Sequence, residues 1–310
     1  MAQTVKELID HIELGLMESH ERVSILPLFS TRVPELVYMT LEEAIEDGLV
    51  NISEMNNEGV VPELELVNSS GVNVLLIDGE ELQGAKQNRV LNGSIIAMAN
   101  ARMTVPVSCT ERGRWSQGGG RFRSSGSVMP RDLRASKSRW VDESRRNNYD
   151  WSVHQSKVWD GVDDLIERTG SNSPTRAMKS AIDSSLEDVN RWVGLFSPKP
   201  NQVGMVVFTD GALSGVEMCS RPEAFTKLMP KLLGSYAFEC VLRNEASPST
   251  EPESSERVGT EFFESLSSCE IEEYRTPGIG IGLKFENTRL YGTALRYGTE
   301  MVQMSAYSID

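Results

Sequence analysis

The sequence predicts an α+β protein: an antiparallel, sheet-rich core with flanking helices and a helical and loop insertion around residues 116–170. Three observations predict it. Short apolar runs closed by Asp78-Gly79 and Asn92-Gly93 crowd residues 49–110, as in a strand meander. Helical spacing of apolar residues is confined to a few long stretches, chiefly 133–168 and 175–196. Strand-type runs come first and a mixture of strands and helices later, the order of α+β rather than of alternating α/β.

In chain order, Val5, Leu8, Ile9, Ile12 and Leu16 fall at helical spacing behind a Thr4…Glu7 capping box, so a helix is expected over 4–20. Val23–Phe29 reads as a buried strand interrupted by Pro27. Thr40 caps a second helix that ends at Gly48. Strands follow at 64–68, 72–77, 94–99 and 103–109, with Pro106 pointing to an edge position for the last. Residues 116–127 hold Gly118-Gly119-Gly120 and Ser124-Ser125-Gly126, a composition that cannot pack a core and reads as a loop. A continuous helix is expected over 175–196, stopped by Pro198 and Pro200. Val203–Phe208 and Ala212–Met218 make a hairpin around Asp210-Gly211. A short helix at 223–233 and a strand at 237–243 follow. Residues 245–256 are rich in Ser, Pro and Glu, the composition of a flexible connection. A turn of helix at 262–266 precedes three antiparallel strands at 279–285, 288–296 and 301–307.

At 310 residues the chain is long enough for one large domain or two ordinary ones. It is read as a single α+β domain over 1–310, with an Arg/Gly-rich loop at 116–132 and a flexible connection at 245–257. Its 39% hydrophobic and 25% charged content suit a globular protein with a real core. A net charge of −14 disfavours general nucleic-acid coating. No run of about eighteen apolar residues is present, so no membrane partner is expected. The charged first twenty residues do not read as a secretory signal, and Cys109, Cys219, Cys240 and Cys269 lie too far apart for a zinc ribbon. Free thiols and a cytoplasmic location are the expectation.

Against that acidic background, ten Lys and Arg residues crowd 112–146, faced there by Asp132, Asp142 and Glu143 alone. Two readings of this island stay open: a glycine-hinged lid over an anionic ligand, or a solvated helix face with a loop. It follows a dense polar run, Asp78-Gly-Glu-Glu-Leu-Gln-Gly-Ala-Lys-Gln-Asn-Arg89. If that run is extended, Glu81, Gln83, Gln87 and Arg89 share one face. A carboxylate can accept from ribose hydroxyls, amides can read a base edge and a guanidinium can take a phosphate. The second block, Ser108-Cys-Thr-Glu-Arg-Gly-Arg-Trp115, offers Glu111 as a general base and Trp115 as a stacking wall. Cys109 next to Arg112 and Arg114 is a candidate for a lowered thiolate pKa, although a lone strand cysteine is more often core. Gly278–Gly282 precedes a strand and is no dinucleotide loop. Asp160, Asp163, Asp164 and Glu167 read as an acidic helix face, with no metal assigned.

The blocks Leu76–Asn92 and Val105–Trp115 resemble a bacterial family, the ADP-ribosylglycohydrolase- and rhodanese/phosphatase-superfamily-associated protein domain. Asn201–Gly215 and Gly278–Tyr307 fit its layout, so the resemblance spans nearly the whole chain. It implies a role in NAD-derived or ADP-ribose metabolism, within prokaryotic defence or stress systems.

The expected function is therefore binding, with hydrolysis or other processing as its stronger form, of a phosphorylated nucleotide-like metabolite. Glu81 and Glu111 are the candidate catalytic carboxylates. Gln83, Lys86, Gln87, Asn88, Arg89, Arg114 and Trp115 are the candidate ligand-binding residues. The alternative is a non-enzymatic module whose Arg-rich segment docks an acidic partner, a second copy of the chain included. The expected partner is thus an anionic, phosphate-containing small molecule, and a cofactor is left unassigned.

Overall fold

The computed structural model describes residues 5–55, 62–115, 120–148, 150–243 and 255–309. They hold eight helices and eighteen strands in mostly antiparallel sheets, an α+β fold. Residues 1–310, expected as one domain, gather into two compact units. One comprises 1–37, 191–276 and 280–310, and the other 38–190 with 277–279.

The first unit opens with α1 (Val5–Ile9), β1 (Ile12–Leu14), β2 (Glu18–His20) and β3 (Val23–Ser30). The helix expected over 4–20 thus stops after Ile9. The Gly15 N–H donates to the Pro27 carbonyl at 2.8 Å, and Glu18–His20 pair with β3, so sheet pairing overrides the helical spacing. Pro27 is not at an edge. β3 lies inside the sheet, with Pro27 at the point where β1 gives way to β2 as its neighbour.

The second unit begins with β4 (Tyr38–Thr40) and α2 (Leu41–Glu46), capped by the Thr40 hydroxyl as expected. β5 (Val50–Glu54), β6 (Glu63–Asn68), β7 (Asn73–Leu76), β8 (Glu80–Gln83), β9 (Arg89–Leu91), β10 (Ile95–Ala97), β11 (Ala101–Cys109) and β12 (Arg123–Val128) follow. They form a six-stranded sheet in the order β12-β8-β9-β11-β6-β5 and a three-stranded sheet β10-β7-β4. Leu64, Leu66, Leu82, Leu91, Val105 and Val107 are fully or almost fully buried in one apolar cluster. Pro106 again is not at an edge: β11 pairs with β6 up to Pro106 and with β9 from Val107. A residue without an N–H suits a change of partner. Residues 123–128, expected as loop, form the edge strand β12 against β8, while 116–119 lie outside the described residues.

α3 (Arg131–Asn148) and α4 (Gln155–Thr169) fill the expected helical stretch. The helix expected over 175–196 is two, α5 (Met178–Ser184) and α6 (Leu186–Val193). Residues 175–177 are drawn out of it because they hydrogen-bond to 110–113: the Gly113 N–H donates to Thr175 O and the Met178 N–H to Thr110 O, both at 2.8 Å.

The chain returns to the first unit with β13 (Gln202–Thr209), β14 (Ala212–Cys219) and α7 (Pro222–Leu242). The strand expected at 237–243 is instead the second half of α7. Tyr236, Ala237, Phe238, Glu239 and Cys240 are all buried, so the helix shows no polar face to mark it. The connection expected at 245–257 lies outside the described residues up to 254. From Ser255 the chain is already helical in α8 (Ser255–Ser267). β15 (Glu270–Arg275), β16 (Ile281–Glu286), β17 (Leu290–Tyr297) and β18 (Glu300–Ser308) complete a sheet ordered β1-β3-β13-β14-β18-β17-β16-β15, with β2 also on β3.

Candidate functional site

The two polar blocks meet. β8 and β9 pair antiparallel, Leu82 opposite Arg89, and β9 pairs with the end of β11, Arg89 opposite Cys109. That register carries residues 80–89 and 109–115 into one place in the second unit. The alternation expected of a continuous extended run ends at Gln83, however. Gly84 (φ 136°) and Ala85 (φ 45°) turn the chain into a tight loop over 84–88. A Cβ on Gly84 would lie 2.9 Å from the Arg121 carbonyl, so the loop packs directly on the segment that leads into β12.

Glu111 is the hub of the loop. Its Oε2 accepts from Arg114 Nε at 2.8 Å and from the Asn88 N–H at 3.2 Å, and its Oε1 accepts from the Thr175 hydroxyl at 2.7 Å. The Arg114 guanidinium donates onward to Ala85 O at 2.7 Å and to Asn88 Oδ1 at 3.0 Å. Asn88 Oδ1 also receives the Gly84 N–H at 3.3 Å and so closes the turn. Burial alone would raise the Glu111 pKa. Arg114, Thr175 and the Asn88 amide outweigh it and hold the carboxyl below its ordinary value, as a fixed anion.

Glu81 is the opposite case. It is fully buried, and its Oε1 accepts from the Thr110 hydroxyl at 2.9 Å. Burial pushes its pKa up to about 7 against the pull of the Thr110 and Ser125 hydroxyls and of Lys179. The two candidate catalytic carboxyls therefore differ in charge state near neutrality, the pattern expected of an acid and a base. Neither is open to a substrate: Glu81 has no exposed surface, and both Glu111 oxygens are engaged.

Arg89, expected as a phosphate ligand, is likewise fully buried. It donates to Gln87 Oε1 at 3.0 Å and to Cys109 Sγ at 2.8 Å, and it lies 3.4 Å from Glu54 Oε1. Gln87 and Asn88 are buried too, so these three residues build the loop from inside. The Cys109 thiol is not acidified. Burial raises its pKa to about 11, with Arg89 opposing and Glu54 adding to the rise.

The part of the constellation that reaches solvent is its rim. Trp115 is 50% exposed, and the Lys86 ammonium stands 5.0 Å from its ring centroid. Arg114 keeps 28% of its side chain exposed. Arg121 and Arg123 are exposed beside them, Arg123 donating to Gln83 Oε1 at 3.2 Å. Gln83, Arg114 and Trp115 thus remain accessible, whereas Lys86, Gln87, Asn88 and Arg89 are buried.

Much of the basic island is consumed internally. Lys137 is fully buried and donates to Asp78 Oδ1 and to Leu91 O; Arg134, also fully buried, donates to Asp78 O at 2.8 Å. Burial lowers the Lys137 pKa, and Asp78 opposes the fall. Gly79 (φ 81°) is required here, because a Cβ would sit 2.8 Å from Arg134 Cδ. Asp78 looked like a turn residue in sequence and is the counter-ion of α3. Thr110 lies inside the second polar block. Thr175, Glu54 and Gln155, whose amide clasps both backbone groups of Cys109, carried no local signal.

A family model, described as the ARG and Rhodanese-Phosphatase-superfamily-associated Protein domain, matches residues 11–307. The chain belongs to this family. Both polar blocks and all the candidate residues fall inside the matched span. No curated protein and no solved structure matches the chain. No helix among the described residues is long and apolar enough to cross a membrane.

Proposed function

We propose that this domain binds a phosphorylated, nucleotide-like ligand of the ADP-ribose or NAD-derived class on the rim of the buried clasp. The base stacks on Trp115, and Arg121 and Arg123 take the phosphates, with Gln83 and Arg114 beside them. The observation that carries this reading is the half-exposed Trp115 with the Lys86 ammonium over its ring, set among accessible guanidinium groups in a chain of net charge −14. A local cationic patch on an acidic protein selects small anions over polyanionic nucleic acid. The family's named association with ADP-ribosylglycohydrolase and rhodanese-phosphatase proteins supports the ligand class. Binding is favoured over hydrolysis because Glu81 is inaccessible and Glu111 is fully engaged.

Calorimetry and tryptophan fluorescence with ADP-ribose, NAD, AMP and orthophosphate test it. ADP-ribose should bind saturably and perturb Trp115 emission. Trp115→Ala, and Arg121→Gln combined with Arg123→Gln, should each weaken it about tenfold or more without unfolding the protein. A folded protein that responds to none of the four ligands overturns the reading. Retained capture of an acidic protein through Arg121 and Arg123 would then favour the interaction module.

A further inference from the structure

The edge strand β12 interrupts its pairing with β8, and a buried carboxyl lies at the break. Arg123 and Ser124 pair with Gln83 and Leu82, and pairing resumes at Val128, opposite Glu80. Ser125, Gly126 and Ser127 therefore stand against the single residue Glu81, a bulge in the strand. The bulge closes on its own hydroxyls: the Gly126 N–H donates to Ser124 Oγ at 3.1 Å and the Ser127 N–H to Ser125 Oγ at 3.2 Å. Gly126, at φ 72°, permits the turn. The strand is tied down on either side. The Phe122 N–H donates to Ile52 O of β5 at 3.0 Å, and the Met129 N–H donates to Gly79 O at 2.8 Å. The Ser124 hydroxyl donates to Glu42 of α2 at 3.1 Å. Residues 125–127 lie between these ties.

Glu81 has no exposed surface, so an ionised carboxyl there is costly. Its surroundings do not neutralise that charge. Thr110, just past the end of β11, and Ser125 offer hydroxyls. Lys179 of α5 favours the ionised form, but it is ion-paired with Asp183 of the same helix, which opposes it. Lifting the bulge is the smallest rearrangement that hydrates an ionised Glu81, because its N–H groups keep their hydroxyl partners as it moves.

We propose that the proton on Glu81 is the catch of this edge strand: with the proton in place the 125–127 bulge stays closed over the carboxyl, and without it the bulge opens to water. The sign follows from linkage. The Glu81 pKa is about 7 when buried, against 4.5 when hydrated. The proton therefore holds the bulge fully below about pH 4.5, and the hold is lost as pH rises to about 7 and is level above it. Arg123, which donates to Gln83 beside the break, is unseated with the strand. Weaker anion binding at higher pH is a consequence that rests on the ligand reading above; the opening itself does not.

Amide hydrogen exchange of the ligand-free full chain, corrected for intrinsic rates, tests the opening. Protection of residues 123–128 should fall at least about tenfold between pH 5 and pH 7.5. It should stay below that of β9 and β11 and be insensitive to dilute urea, the marks of local rather than global opening. Glu81→Gln, which cannot ionise, should keep the protection high at both pH values. Lys179→Gln removes a cation that favours the ionised form, so the fall should continue to higher pH before levelling. Constant protection in the native protein overturns the proposal, as does an equal fall in Glu81→Gln or a segment that exchanges only together with β9 and β11.

Discussion

Two equally buried regions of this molecule are built from opposite materials. In the first unit, the layer over β13, β14 and β18 is carbon: Val206, Val216, Met304, Ala306, Leu283 and Phe285 are all at most a few per cent exposed. In the second unit, the corresponding depth around β8 and β9 holds Asp78, Glu81, Arg89, Arg134 and Lys137. Apolar burial stabilises at about 25 cal/mol per Å². Buried ions at best break even, and only while every partner is present. The contrast teaches that charges 78–89 are not retained for stability as such. They shape a loop whose rim meets solvent, and stability there becomes conditional on protonation state and pairing in a way the carbon core never is.

The largest expected effect tests that conditionality. Asp78→Ala leaves the Lys137 ammonium buried with the Leu91 carbonyl and should cost about 3–5 kcal/mol. Phe285→Ala in the first unit should cost about as much, through cavity formation. The two losses differ in how they can be rescued. Adding Lys137→Met to Asp78→Ala should recover most of the loss, because both charges then leave together. Urea unfolding followed by tryptophan emission reads this directly, since Trp115, Trp140, Trp151 and Trp159 all lie in the second unit. A double variant as unstable as the single one would show that the pairing is not what the site requires.

Protonation gives the next effect. The Glu81 pKa is raised in the folded state, so the native protein holds a proton that the unfolded chain releases near pH 4.5. Stability from this group is full below pH 4.5, falls as pH rises and levels off above about 7, a loss of about 3 kcal/mol. Glu81→Gln should flatten the curve over that window and stabilise the protein at pH 8. Glu111 has the opposite sign. Its depressed pKa makes its contribution full above the ordinary carboxyl pKa and lost as pH falls below it. Glu111→Gln should cost about 1.5–3 kcal/mol at pH 7 and progressively less in acid. Parallel slopes for the two variants would mean that the carboxyls share one environment.

The same contrast explains what the sequence could tell. Where one material dominates, pattern suffices: Val203–Phe208, Asp210-Gly211 and the strands up to Tyr307 were legible because apolar runs and turn residues alternate cleanly there. Convergence of residues 80–89 with 109–115 was legible as two unusual polar blocks, and β9–β11 pairing supplies it. The orientation of Arg89 was not, because polar composition looks the same whether a residue faces water or a partly buried glutamate 35 positions away. The second half of α7 was misread for the complementary reason: burial on all sides erases the helical period. Residues 10–20 and 175–177 kept a helical pattern yet went to sheet pairing and to bridges with 110–113, long-range partners that no local window contains.

The smallest expected effect compares single hydroxyls in the two units. Thr110 donates to Glu81 at 2.9 Å, and Tyr236 donates to the buried Glu217 at 3.1 Å, where Ser305 also donates at 2.6 Å. Thr110→Val and Tyr236→Phe each remove one hydroxyl with little change of shape, and each should cost about 1 kcal/mol. Thr110→Val should also move the Glu81 titration. The Thr110 hydroxyl favours the ionised form of Glu81, so its loss should shift the end of the stability decline to a pH above about 7. Unfolding free energies measured from pH 5 to 9 would show this as a displaced curve for Thr110→Val. An unshifted curve would mean that burial sets the Glu81 proton affinity and that the Thr110 contact serves only to tie residue 110 to β8.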